Sequence, residues 1–377
     1  MTKNIHFACV EYSTKTGKIW RPTPEKPNYL CDPESEIDPT SFGCWTSALS
    51  GEHIPVNFLR RRQNPHTLAY KLGRKKDLIL EKINGKSVYH NLSYLKKFNL
   101  VLFLIHNFSM PQMADLIKRA KKINPEAIFL GSIVSPLGLL RETWKKEKGF
   151  RQFKKLADAC DIFINVNREA EDYLESILNT KVLYFPQFYP FEYAHQFFRR
   201  KEEKEKIILV AGETERLDNL AGQFSAIKIQ KKYPEFLIQV VDYPDLNIAP
   251  LKIAKADFTI IPFLKWQENL KRLARVFMII NTDAIWTLGR LQADAAAVGA
   301  PSIGINSNNQ LEFFPKLSVS DIAGNSQIFT LAEKLILDEQ FYCNIQQEAA
   351  AKLAENDYQK SKERLKEVIK NHLGSGK

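Results

Sequence analysis

What this chain can fold into is constrained most by short apolar runs of strand length, each followed by a stretch of helical period. Leu100–Ile105 contains no polar residue, and Val276–Asn281 is apolar up to its last position. A half-exposed strand would alternate polar with apolar side chains. A strand apolar throughout is buried on both faces, as in a parallel sheet covered by its own crossover helices. The first half predicts strands over residues 5–12, 54–59, 100–106, 127–131, 161–166 and 181–185. Helices are predicted between them over 41–49, 110–123, 149–159 and 168–178. In the second of these helices Met113, Leu116, Ile117 and Ala120 share one face. A stretch holding Pro22, Pro24, Pro27, Pro33 and Pro39 reads as a long ordered loop or hairpin insertion.

The alternation stops at Arg199, Arg200, Lys201, Glu202, Glu203, Lys204, Glu205 and Lys206, a polar run that suits a linker. It then restarts, with strands over 207–211, 236–241, 257–262, 276–281 and 301–305 and helices over 217–233, 270–275 and 289–298. A Lys/Glu-rich helical region over 338–372 closes the chain. Its Glu348 and Lys352 attract at i,i+4, whereas Glu363 with Glu367 and Lys362 with Lys366 repel, so packing rather than charge pairing has to support it. The expected architecture is α/β: two doubly wound domains, 1–200 and 201–338, facing each other across a cleft, with the helical region 339–377 near their junction.

Several function classes drop out. No apolar run reaches the about 18 residues of a membrane span, so no spanning helix is expected. The first residues lack the regions of a signal peptide, which points to a cytoplasmic location. Cys9, Cys31, Cys44, Cys160 and Cys343 are odd in number and form no close pairs, so they are expected to be buried or inert thiols. No metal-ligand spacing occurs among the seven dispersed histidines. Gly17 with Lys18, and Gly85 with Lys86, lack the spacing of a phosphate loop.

Charge is lopsided. Of the net +11, residues 1–200 supply all, with 31 basic and 20 acidic side chains against 23 of each beyond them. Residues 51–155 alone hold 22 basic and 7 acidic. Such a field attracts anionic lipid, anionic polymer or nucleic acid, although any single cluster also suits a solvated helix face. No nucleic-acid motif accompanies the charge and few aromatics interleave with it, so nucleic acid is not the expected partner.

The residues that speak to function run from Trp286, Thr287, Leu288, Gly289 and Arg290 through Asp294 to Gly299 and Pro301. They resemble the C-terminal motif of GT-B glycosyltransferases of the family 4 (group 1) type, in which Glu, a small residue, an aromatic and Gly precede Glu-Ala-x-Ala-x-Gly-x-Pro. Residues 157–164 look like that family's last N-domain strand, 181–186 like its interdomain connection and 207–212 like its first C-domain strand and turn. The likeness spans about residues 101–305. It implies a hexosyl-type transfer from a nucleotide sugar, retaining in stereochemistry and in a pathway of polysaccharide or glycan synthesis. The acceptor would be a glycan, a lipid-linked molecule or another compound, with no metal or further cofactor. The lopsided charge makes the N-terminal domain the basic, acceptor-binding one, and peripheral contact with the inner face of an anionic membrane is a further expectation from the same charge.

The motif's physical logic is anion binding. A glycine in the turn after the strand lets backbone amides approach a diphosphate, and the dipole of the next helix adds favourable potential. By the resemblance, Gly212, Thr287, Leu288 and Gly289 line the donor site, Asp294 accepts from ribose hydroxyls, and His106 at the end of a buried strand orients or deprotonates the acceptor. The same stretch also reads as an Ala-rich packing helix, and His106 as a hydrogen-bonded strand-end residue. Departures are equally definite. Trp286 replaces the glutamate that would meet the donor sugar. Glu213, directly after Gly212, and Asp218 stand where cations would clamp phosphates; Arg216 and Arg290 lie close enough in sequence to offer a guanidinium fork. Ser132, Ile133 and Val134 occupy the expected loop where many relatives place a histidine. A non-catalytic binding or scaffold member of the fold is the alternative.

Overall fold

The computed structural model describes residues 5–11, 19–22, 43–59, 89–105, 110–133, 146–211, 219–243, 246–283, 289–307, 309–320 and 325–374. Backbone contacts divide the chain into two units, Met1–Phe188 with Lys362–Lys377, and Tyr189–Ser361.

In the first unit the elements run β1 (Phe7–Glu11), α1 (Gly43–Ala48), β2 (Glu52–Pro55), α2 (Val56–Leu59), β3 (Leu100–Ile105), α3 (Met110–Ile123), β4 (Ile128–Ile133), α4 (Glu147–Ala157), β5 (Ile162–Asn165), α5 (Glu171–Ile177) and β6 (Lys181–Tyr184). The six strands form one sheet in the order β2-β1-β3-β4-β5-β6, with every pair parallel. All of β3 is buried, as its uninterrupted apolar sequence requires. Met113, Leu116, Ile117 and Ala120 of α3 are buried together, while Lys118 and Lys122 are exposed. Arg119 and Lys121 lie at the edge between the two faces. Both are half-buried, and they pair with Asp115 and Asp161 at 2.9 and 2.6 Å. Asp161 also accepts from the Phe129 N–H at 2.7 Å, so one carboxylate ties α3 to the entrances of β4 and β5.

The second unit runs α6 (Phe191–His195), β7 (Glu205–Ala211), α7 (Asn219–Lys232), β8 (Leu237–Val241), α8 (Ala249–Ile253), β9 (Phe258–Ile261), α9 (Trp266–Arg275), β10 (Val276–Asn281), α10 (Arg290–Val298), β11 (Ser302–Ile305), α11 (Gln310–Phe313), β12 (Ser318–Val319), α12 (Asn325–Leu337) and α13 (Glu339–Ala354). Its sheet is again wholly parallel, in the order β12-β11-β10-β7-β8-β9. A last helix, α14 (Tyr358–Gly374), crosses the point where the chain passes back to the first unit.

Several expectations need correcting. The run over 54–59 is not one strand: Pro55 ends β2, and Val56–Leu59 is a helical turn, a distinction that a short apolar run does not encode. The strand expected to stop at Gly131 continues to Ile133, so Ser132 lies inside the sheet and donates to the Ile164 carbonyl at 2.9 Å. The terminal helical region is two helices, the first capped by Asp338, whose carboxylate accepts from the Phe341 N–H at 2.8 Å. Glu348 pairs with Lys316 rather than Lys352. Packing does carry α13: Tyr342, Ile345, Gln346, Ala349 and Leu353 are buried, and the Tyr342 hydroxyl donates to the Phe277 carbonyl at 2.6 Å. Cys9, Cys44 and Cys160 are buried, and burial pushes the Cys160 thiol up to about 12, which keeps it protonated and unreactive. Cys31 lies outside the described residues.

Candidate nucleotide-binding site

In the second sheet β8 and β9 lie on one side of β7, and the chain then crosses back to place β10 on the other. The strand order therefore reverses between β7 and β10, and Ala211 at the end of β7 pairs with Asn281 at the end of β10. Open α/β sheets bind ligands just beyond the carboxyl ends of strands at such a reversal. β7 ends there at Ala211, and α10 is the next helix after β10. Gly222 brings α7 against both strands: a Cβ on it would come within 2.9 Å of Val210 Cγ1 and 3.4 Å of Thr282 Oγ1. Asn281 shapes the exit from β10, its Oδ1 accepting from the Asp283 N–H at 3.1 Å.

Gly289 precedes α10 with φ 68° and ψ 28°, a left-handed conformation that favours glycine. Its carbonyl accepts the Ala293 N–H at 3.1 Å and closes the first turn. Arg290 opens the helix and is half-buried. The amides of this first turn and the helix dipole create positive potential at its start. From Gln292 to Val298 every residue of α10 is buried, and this explains the alanines.

A carboxylate in such a helix needs partners. Asp294, 3% exposed, has them: Tyr189 Oη donates to its Oδ1 at 2.8 Å and Trp266 Nε1 to the same oxygen at 2.9 Å. Burial pushes this carboxyl above the usual carboxylate range, while the Arg290 charge and the two hydrogen bonds pull the other way. The tie falls on the first residue of α9. Its apolar period becomes legible only at Leu270, but the helix starts at Trp266, whose indole is anchored to Asp294. Tyr193 stacks on Trp266 with ring centres 5.6 Å apart, and Tyr189 meets it edge-on at 6.5 Å.

The far end of α10 is held as closely. Gly299 is left-handed at φ 69°, and Gln346 Nε2 donates to the carbonyls of Gly299 and Arg199 at 2.7 and 2.9 Å. Lys204 Nζ donates to Ala274 O at 2.8 Å and Val298 O at 3.0 Å, joining the last turns of α9 and α10. Burial, with the Arg199 charge acting in the same sense, pushes its ammonium down to about 7.

Of the residues picked from the sequence, the structure thus brings Gly289, Arg290 and Asp294 together at the start of one helix. Gly212, Arg216, Thr287, Leu288 and His106 lie outside the described residues, as do Glu213, Asp218 and Trp286. Tyr189 and Trp266 were not legible as partners of Asp294, although a buried indole N–H always demands an acceptor somewhere. Among the described residues no His, Cys, Asp and Glu cluster suited to a metal occurs, and no helix is long and apolar enough to cross a membrane.

No protein family and no curated protein matches the chain by sequence. Solved structures do match it by fold. Anabaena Alr3699/HepE in complex with UDP aligns over 97% of this chain and 100% of its own, with TM-score 0.62 and 11% identity. The α,α-trehalose 6-phosphate synthase from Burkholderia multivorans aligns over 99% and 98%, with TM-score 0.60 and 8% identity. Sucrose-phosphate synthase from Thermosynechococcus elongatus aligns over 98% and 100%, with TM-score 0.58 and 13% identity. These structural neighbours are GT-B glycosyltransferases, and the two wholly parallel six-stranded sheets of this chain, each with flanking helices, are of the GT-B fold.

Proposed function

We propose that the protein is a glycosyltransferase whose second unit binds a nucleotide-sugar donor and whose basic first unit receives a glycan, lipid-linked or other acceptor. The observation that carries this reading is the full-length fold likeness to HepE, which has been solved with UDP and with UDP-glucose. In this reading Gly289 admits the diphosphate to the start of α10, where the helix dipole and Arg290, aided by Arg216 from beyond β7, stabilise the charge that develops on the leaving group. Gly212, Thr287 and Leu288 complete the cradle. Asp294 accepts from the ribose, and His106 orients the acceptor hydroxyl. The family 4 resemblance adds transfer with retention and no metal.

The test is thermal shift against UDP, UDP-glucose and a panel of other nucleotides and nucleotide sugars. A ligand at about 100 times its Kd stabilises by about 2.7 kcal/mol, a shift of several degrees. Gly289→Val, which forces a β-branched residue into the left-handed region and into the diphosphate's path, is expected to abolish the shift. No shift with any nucleotide would sink the donor reading. A non-catalytic scaffold would then replace it, as favoured by the internal hydrogen bonds already made to Asp294 and by Trp286, Glu213 and Asp218 at donor positions.

The acceptor side carries its own prediction. On α3 and α4, packed together in the first unit, Asp115, Glu147 and Asp158 are matched by Arg119, Arg151 and Lys154. Lys118, Lys122, Lys148 and Lys155 have no ion-pair partner among the described residues. Each lysine near an anionic membrane contributes about 1 kcal/mol, screened by salt. Sedimentation with anionic vesicles at low salt should therefore exceed that with neutral vesicles, and replacing the four by serine should remove the difference. Equal recovery with both kinds of vesicle would refute membrane contact.

A further inference from the structure

The Asp294 carboxylate is oriented by the protein itself. Its two donors come from positions 105 and 28 residues away in sequence, and both meet Oδ1. Trp266 cannot swing away, because Tyr193 and Tyr189 flank its ring. Rotation of the carboxyl group about its terminal bond would break both hydrogen bonds at once, so Oδ2 keeps a single direction. That is more than burial requires: one donor would satisfy Oδ1, whereas two from separate elements fix an angle.

Resting on the reading of Asp294 as the ribose contact, we propose that Tyr189 and Trp266 are positioning residues. They hold Oδ2 as an acceptor at one fixed angle, and so set the preference of the site for a ribonucleoside over a deoxyribonucleoside diphosphate. A hydroxyl hydrogen bond to a charged oxygen discriminates strongly only when the acceptor cannot relax to find another partner.

The probes are UDP, 2′-deoxy-UDP and 3′-deoxy-UDP, with Kd measured by calorimetry on the wild type, Tyr189→Phe and Trp266→Phe. Each phenylalanine removes one donor; at position 189 the ring is unchanged, and at position 266 a smaller aromatic ring remains between Tyr193 and Tyr189. The wild type is expected to bind UDP about tenfold or more tightly than the analogue lacking the contacted hydroxyl. In each variant that ratio should fall to within about threefold, with affinity for the deoxy analogue, carried by diphosphate and base, little changed. The ratio is internal to each folded protein, so a loss of stability alone does not move it, and either variant suffices should the other not fold. A wild-type ratio preserved in the variants would overturn the positioning role. UDP binding with no discrimination in the wild type would overturn it too, leaving donor binding intact. No UDP binding at all would sink the uridine-donor reading and this proposal with it.

Discussion

Asp294→Ala is expected to lower the stability of the second unit by about 2–5 kcal/mol, whereas Asp294→Asn should leave it at or above the wild type at pH 7. Alanine strands two buried donors, the Tyr189 hydroxyl and the Trp266 indole, each worth about 1–3 kcal/mol when left unpaired. At roughly 2–4 °C per kcal/mol for a domain of this size, melting should fall by roughly 5–15 °C. Asparagine keeps an oxygen for both donors and removes the cost of burying a charge, the largest influence on this carboxyl.

The pH dependence separates the two variants further. The folded carboxyl titrates above its ordinary value of 3.8, so the folded state binds more protons than the unfolded state between the two values. The contribution of Asp294 is fully present below 3.8 and is lost as pH rises through its raised folded value. The stability of Asp294→Asn relative to wild type should therefore climb across that window and then level off. Denaturant unfolding at a series of pH values measures it; a difference that does not change with pH would show that the carboxyl is not perturbed.

Gly299→Ala should cost about 2–4 kcal/mol, and here no ligand is involved. Part is the left-handed backbone, about 1 kcal/mol for a residue with a Cβ. The rest is space, because that Cβ would come within 2.7 Å of the Phe198 ring, 2.9 Å of Gln346 Nε2 and 3.0 Å of the Arg199 carbonyl. The ring can shift, but the carbonyl is backbone, and Gln346 cannot retreat without loosening its bonds to Gly299 and Arg199. A loss below about 1 kcal/mol by denaturant unfolding would mean that the helix exit relaxes freely.

The sequence displayed whatever depends on local period. Residues 110–123 and 276–281 have the bounds read from them, because four apolar residues on one helical face, or an uninterrupted apolar run, leave little choice. Partnerships across the chain were hidden. Nothing around Trp266 indicates that its indole will seek Asp294, and so the first turn of α9 was missed. Asp294 itself was visible only through resemblance. Its hydrogen bonds belong to tertiary structure, which no window of sequence contains. The charged run over 199–206 shows why polarity is an indirect guide to unit boundaries: contacts change between Phe188 and Tyr189, earlier than the most polar stretch, and Lys204 within that stretch is half-buried with its ammonium on two backbone carbonyls.

The return of Lys362–Lys377 to the first unit gives this chain an order of assembly on the ribosome. Leu365 is buried, and the Arg364 guanidinium lies 5.0 Å from the centre of the Phe185 ring, so the returning segment belongs to that unit's packing. Every residue of the second unit is synthesised before it exists. The nascent first unit therefore lacks this segment until the whole second unit has been made, and a chain truncated before Lys362 is expected to leave the Arg364 side of Phe185 uncovered.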